Sequence, residues 1–72
     1  MEASSITVGQ ELRYNAGFGP WNVQGIVRVT EAKANHSVIK VQIISMSKDR
    51  GEKEFYKPGK VIDAVASELF PK

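Results

Sequence analysis

The stretch Val38-Ile-Lys-Val-Gln-Ile-Ile-Ser-Met46 constrains the fold more than any other part of the chain. Apolar and polar side chains alternate through most of it, and its β-branched residues are stiff at χ1 and pack well on a pleated surface. Ile39, Val41 and Ile43 fall on one face, and Lys40 and Gln42 on the other. A strand of this kind needs partners, because no isolated strand or hairpin is stable in water. The question is then which other segments share its two-residue period.

Two do. Leu12 and Tyr14 point one way and Glu11 and Arg13 the other, which predicts a first strand over about residues 10–15, with an earlier start at Ile6 left open. Val23, Gly25, Val27 and Val29 form the better core face of a second strand over 23–30, opposite Gln24, Ile26, Arg28 and Thr30. Gly25 in that inward set marks a bend or bulge. Between these strands, Asn15-Ala-Gly-Phe-Gly-Pro-Trp-Asn22 reads as a loop, and it carries two large aromatics, Phe18 and Trp21. Glu31 to Ser37 is a polar connection. Ser47-Lys-Asp-Arg-Gly51 reads as a hairpin turn with a positive φ at Gly51. A return strand over Glu52 to Lys57 follows, with Phe55 or Tyr56 as its core contact.

Pro58-Gly59 breaks that strand. Beyond it Val61, Ile62, Val65 and Leu69 lie at i, i+1, i+4 and i+8, one stripe of a helix, with Asp63 near its positive end and Pro71 as its stop. The spacing predicts a short C-terminal helix; a short strand followed by a single 3₁₀ turn is the alternative. The fold class expected is mainly β, an α+β miniature: a four- to five-stranded antiparallel small barrel or meander with that helix. Residues 1–5 are expected to be a flexible terminus, and 6–72 a single domain. The order Gly9-x-x-Leu12-x-Tyr14, a glycine-aromatic loop, then Gly25-x-Val27-x-Val29 resembles the opening of SH3-like small barrels. The likeness covers about the first third of the chain and implies a fold only.

With 72 residues and no cysteine, neither a disulfide nor a thiolate zinc site can supplement a thin core. Such domains commonly associate with a partner or with themselves. No apolar run reaches the length of a membrane span, the N-terminal residues do not read as a signal peptide, and the lack of cysteine adds to an expectation of the cytoplasm. A net charge of +2 is too small to argue for a partner, so the placement of charges must.

Catalysis has little to stand on. The lone His36 sits in a polar loop between Asn35 and Ser37, and no phosphate-binding or nucleophile motif is present. No enzyme, metal or cofactor is expected. Binding has better material. If the three N-terminal strands pair as neighbours, Arg13, Arg28 and Lys40 share the outward face with Gln24 and Gln42, beside the loop of Phe18 and Trp21. Cations meet phosphates and aromatic faces stack on bases, so this side suits nucleic acid, with Tyr56 extending the stacking surface. Plain solvation of the cations, and packing of Trp21 and Phe18 over the open end of a barrel, are the blander accounts. Ile26, Val38 and Ile44 also fall outward. They suggest either a protein partner, a homodimer included, or the C-terminal helix lying across the same face. Non-enzymatic nucleic-acid binding leads, with a protein-interaction module (adaptor, inhibitor or homodimer subunit) as the alternative.

Overall fold

The computed structural model describes residues 3–32, 38–48, 51 and 55–72. Five strands form one antiparallel sheet: β1 Glu11–Ala16, β2 Val23–Glu31, β3 Val38–Lys48, β4 Val61–Val65 and β5 Leu69–Pro71. Their order is β4-β3-β2-β1-β5, so β4 and β5 are edges and the sheet is not closed into a barrel. One-turn 3₁₀ helices occupy Ala3–Ser5, Gly19–Trp21 and Ala66–Glu68.

The inward faces are those that the alternation dictates. Leu12 and Tyr14, Val23, Val27 and Val29, and Ile39, Val41 and Ile43 are all buried. Ile6, ahead of β1, joins them, and Gly9 and Gln10 continue the ladder by exchanging backbone hydrogen bonds with Val29. Both edge strands feed the same core through Ile62, Ala64 and Leu69, with Ala66 from the intervening turn. A single apolar cluster therefore spans the sheet from edge to edge.

The tail departs from the expected helix. Ile62 and Ala64 are buried between exposed Val61 and Asp63, a two-residue period, and the segment pairs with β3 in the register Val41↔Ile62 and Lys40↔Asp63. An isolated helix of this length is marginal in water, whereas the free edge of β3 offers a ladder of backbone partners. The alternative of a strand and then a 3₁₀ turn holds, and β5 follows it. The turn is closed by Glu68, whose Oε1 accepts from the Val65 N–H at 3.0 Å. β5 lies beside β1, with Arg13↔Phe70 and Tyr14↔Leu69 in register.

The expected return strand is absent from its described part: Phe55 and Tyr56 form a turn, with Tyr56 buried and Phe55 half exposed. Residues 52–54 and His36 lie outside the described residues. Ser47 and Lys48, expected in a hairpin turn, extend β3 instead, while Gly51 has the expected positive φ, 84°.

Gly25 marks a break in the β2–β3 ladder. Gln24 faces Lys48, Gly25 faces Met46, Ile26 faces Ser45 and Val27 faces Ile43. Ser47 and Ile44 are thus the extra residues of two bulges on β3, one on each side of the Gly25–Ile26 pairs. A Cβ on Gly25 would collide with Met46 Sδ and the Ser45 carbonyl oxygen. On its other side Gly25 faces Tyr14, an aromatic across the ladder from a strand glycine.

Candidate binding surface on the outer face of the sheet

The outer face carries Arg13, Arg28 and Lys40, all exposed. The C-terminal segment does not cross them: its apolar residues go to the two edges and into the core. The two halves of the face differ in how their charges are compensated.

In one half the cations are matched. Arg28 Nη2 donates to Glu11 Oε2 at 2.6 Å, and Lys72 Nζ donates to the other oxygen of the same carboxylate at 2.9 Å. The Lys72 hydrogen bond first, and that from Arg28 second, lower the Glu11 pKa to about 2. Lys40 Nζ donates to Asp63 Oδ1 at 3.1 Å across the β3–β4 pair. Pairs this exposed contribute little to stability. They do lower the attraction of Arg28 and Lys40 for an outside anion.

In the other half the described residues show no such compensation. Arg13 and Lys48 make no ion pair or side-chain hydrogen bond among the described residues. An open groove of about 240 Å³ lies here, lined by Arg13, Asn15, Gln24, Ile26, Ser45 and Ser47 around the Tyr14–Gly25 step. None of its lining residues is acidic. The bulges on β3 bring both serines to it, and Ser47 Oγ donates to the Gln24 carbonyl at 3.2 Å. Lys48 stands opposite Gln24, and Phe70, two-fifths exposed, stands opposite Arg13 on β5.

The loop of residues 17–22 rises at this end of the sheet, directly after the Asn15↔Gln24 and Ala16↔Val23 pairs. Asn22 ties it down: its side-chain N–H groups donate to Asn15 Oδ1 at 2.8 Å and the Ala16 carbonyl at 3.0 Å, and its Oδ1 accepts from Gln24 at 2.7 Å. The 3₁₀ turn adds a backbone bond from the Trp21 N–H to the Phe18 carbonyl at 2.9 Å. On this anchored loop Phe18 is 89% exposed and Trp21 66% exposed. Neither caps a core. Large aromatics left in water on a braced loop are costly unless something covers them.

Of the residues that the alternation singled out, Arg13, Phe18 and Trp21 therefore gather at one end. Arg28 and Lys40 lie on the same face but are held by carboxylates. Tyr56 is removed from the set: it is 5% exposed, packed edge-on against Phe55 at 4.8 Å between ring centroids, and its face is not available for stacking. Asn15, Ser45, Ser47, Lys48 and Phe70 were not foreseen. The serines needed the bulges to reach this face, Lys48 needed β3 to run on past Met46, and Phe70 needed β5 to be a strand. Among the described residues no cluster of three or more histidine, aspartate or glutamate side chains could hold a metal, and no helix is long and apolar enough to cross a membrane. Comparison with protein-family models, curated proteins and solved structures finds no match to this chain.

Proposed function

We propose that this chain is a non-enzymatic binding module and that its ligand is nucleic acid. The observation that carries the reading is the union, at one end of the sheet, of a groove flanked by Arg13 and Lys48, neither paired among the described residues, and two aromatic rings held out in water. Cations attract the phosphate backbone and aromatic faces take bases, and the two together are what such ligands require. The strand order, with a 3₁₀ turn joining the last two strands, is in keeping with the SH3-like resemblance, while the open sheet departs from it.

The test is a titration of isotope-labelled protein with short single- and double-stranded oligonucleotides at low salt. Amide shifts concentrated at Arg13, Trp21, Gln24 and Lys48, fading as salt is added, are the expected result. Silence at those residues, or binding indifferent to salt, overturns the proposal. A protein partner is favoured by a different set of residues, the exposed Val38, Ile44 and Val61. If that reading is right, light scattering shows a dimer, or shifts caused by a captured protein centre on those three.

A further inference from the structure

We infer that the surface takes single-stranded rather than duplex nucleic acid, its bases stacked on Phe18 and Trp21 and its backbone held by Arg13 and Lys48. The inference rests on the nucleic-acid reading above and deepens it, and three observations carry it.

The first is the rings. A base offers its π face to a protein only when it is unpaired and unstacked, and inside a duplex both faces are occupied. Phe18 and Trp21 present most of their surface to water, on a loop already fixed by Asn22 and by the Phe18–Trp21 backbone bond. A platform fixed before binding loses little further freedom on taking a ligand.

The second is the number of available cations. Proteins that grip duplex DNA electrostatically neutralise about 6–10 phosphates. Among the described residues of this face Arg28 and Lys40 are each bound to a carboxylate, and Arg13 and Lys48 are left. Two contacts are too few to hold a duplex but enough to keep a single strand in register over the rings.

The third is shape. Reading a duplex in its major groove takes a projecting helix or two-stranded ribbon. The outer face has a concave groove of about 240 Å³, with amide and hydroxyl groups along it, and no helix longer than one turn among the described residues. A concavity of that size accepts a sugar-phosphate unit or a base edge.

Fluorescence anisotropy with a labelled pyrimidine-rich single strand of DNA, its RNA equivalent and the matching duplex tests the inference. Circular dichroism checks that each variant is folded. The single strands are expected to bind at least about tenfold more tightly than the duplex. Trp21→Ala and Phe18→Ala are each expected to weaken them by roughly 5- to 150-fold, the range for one stacked base. With two phosphate contacts the slope of log K against log salt is about −1.4, and Arg13→Ala brings it to about −0.7. Duplex binding equal or tighter, or a slope steeper than about −3 with the aromatic variants unchanged, overturns the single-strand inference while sparing the nucleic-acid reading. No binding to any of the three overturns both.

Discussion

Replacing Gly25 with alanine places a methyl group against Met46 Sδ and the Ser45 carbonyl oxygen, with Met46 Cα only 3.1 Å away. The thioether can swing aside, because methionine is flexible. The carbonyl cannot move without disturbing the Ile26↔Ser45 pair between the two bulges. Overpacking of this kind costs about 1–3 kcal/mol. Lower entropy of the unfolded chain returns about 0.4–1 kcal/mol where the backbone is compatible. A net loss of about 1.3 kcal/mol is therefore expected. It is a large share of a total that, at about 0.05–0.15 kcal/mol per residue, amounts to roughly 4–11 kcal/mol. The midpoint of thermal unfolding should fall by about 5–10 °C. Far-ultraviolet circular dichroism in urea is the right assay, since Trp21 is already mostly exposed and its emission changes little on unfolding. The double variant Gly25→Ala/Met46→Ala separates the two collisions, because emptying the thioether's place removes one and leaves the other. Partial recovery, measured against Met46→Ala alone, is expected. Stability within about 0.5 kcal/mol of the parent for Gly25→Ala, the spread of ordinary surface changes, refutes the reasoning. Complete recovery in the double variant refutes the part assigned to the backbone.

Three further outcomes follow from the outer face. Glu11 has a pKa of about 2 in the folded protein against an ordinary 4.5, so its contribution is present above pH 4.5 and is lost as the pH falls toward 2. The thermal midpoint should drop through that window, less steeply in Glu11→Gln and less steeply in high salt; identical pH profiles for the two proteins would count against the pairing. Asn22→Ala removes the side-chain bonds that hold the loop and should cost about 1–2 kcal/mol. It should also speed hydrogen exchange at the Trp21 amide, and unchanged exchange means that the loop is braced by something else. Trp21, the single tryptophan, should be quenched by acrylamide in the folded protein almost as well as in the urea-unfolded one. A strongly protected indole contradicts its exposure.

Much of the sheet was legible because its deciding signal is local. Leu12 and Tyr14, the valines of β2 and the isoleucines of β3 alternate, and one buried face enforces the register. The tail was not legible, since Val61, Ile62, Val65 and Leu69 fit a helical stripe as well as they fit strand, turn and strand. The three-residue turn at Ala66–Glu68 shifts the phase between Ala64 and Leu69, and the choice rests on the edge of β3, some twenty residues away. The same non-locality hid the state of the cations. Their outward phase could be read from the alternation, but Glu11 reaches Arg28 from a neighbouring strand. Asp63 reaches Lys40 only because it lies on β4; read as the first turn of a helix, it had no reason to meet Lys40. Exposure of Phe18 and Trp21 was a matter of loop geometry, which Asn22 sets and no periodicity announces.

The bulges tie the groove to the core. With Ile44 present, β3 runs inward at Ile43, outward at both Ile44 and Ser45, and toward the core again at Met46. Deleting Ile44 should therefore leave every pair intact, because Ser45 would follow Ile43 directly and still meet Ile26. The strand loses its bend but keeps its faces, and the fold should survive with a flattened groove. Deleting Arg13, from the β1–β2 ladder that carries no bulge, has the opposite consequence. Leu12 and Tyr14 then become neighbours, and either Leu12 or Tyr14 and Ala16 must turn to the wrong face, since a one-residue slip in a regular ladder inverts every side chain beyond it. Urea unfolding of the two deletions should show a cooperative transition for the first and none for the second. Nucleic-acid titrations of the first should show weakened binding at Arg13 and Ser45, with the loop aromatics still engaged. If the two deletions are equally tolerated, or equally destructive, Ile44 is an ordinary ladder residue and the groove owes nothing to it.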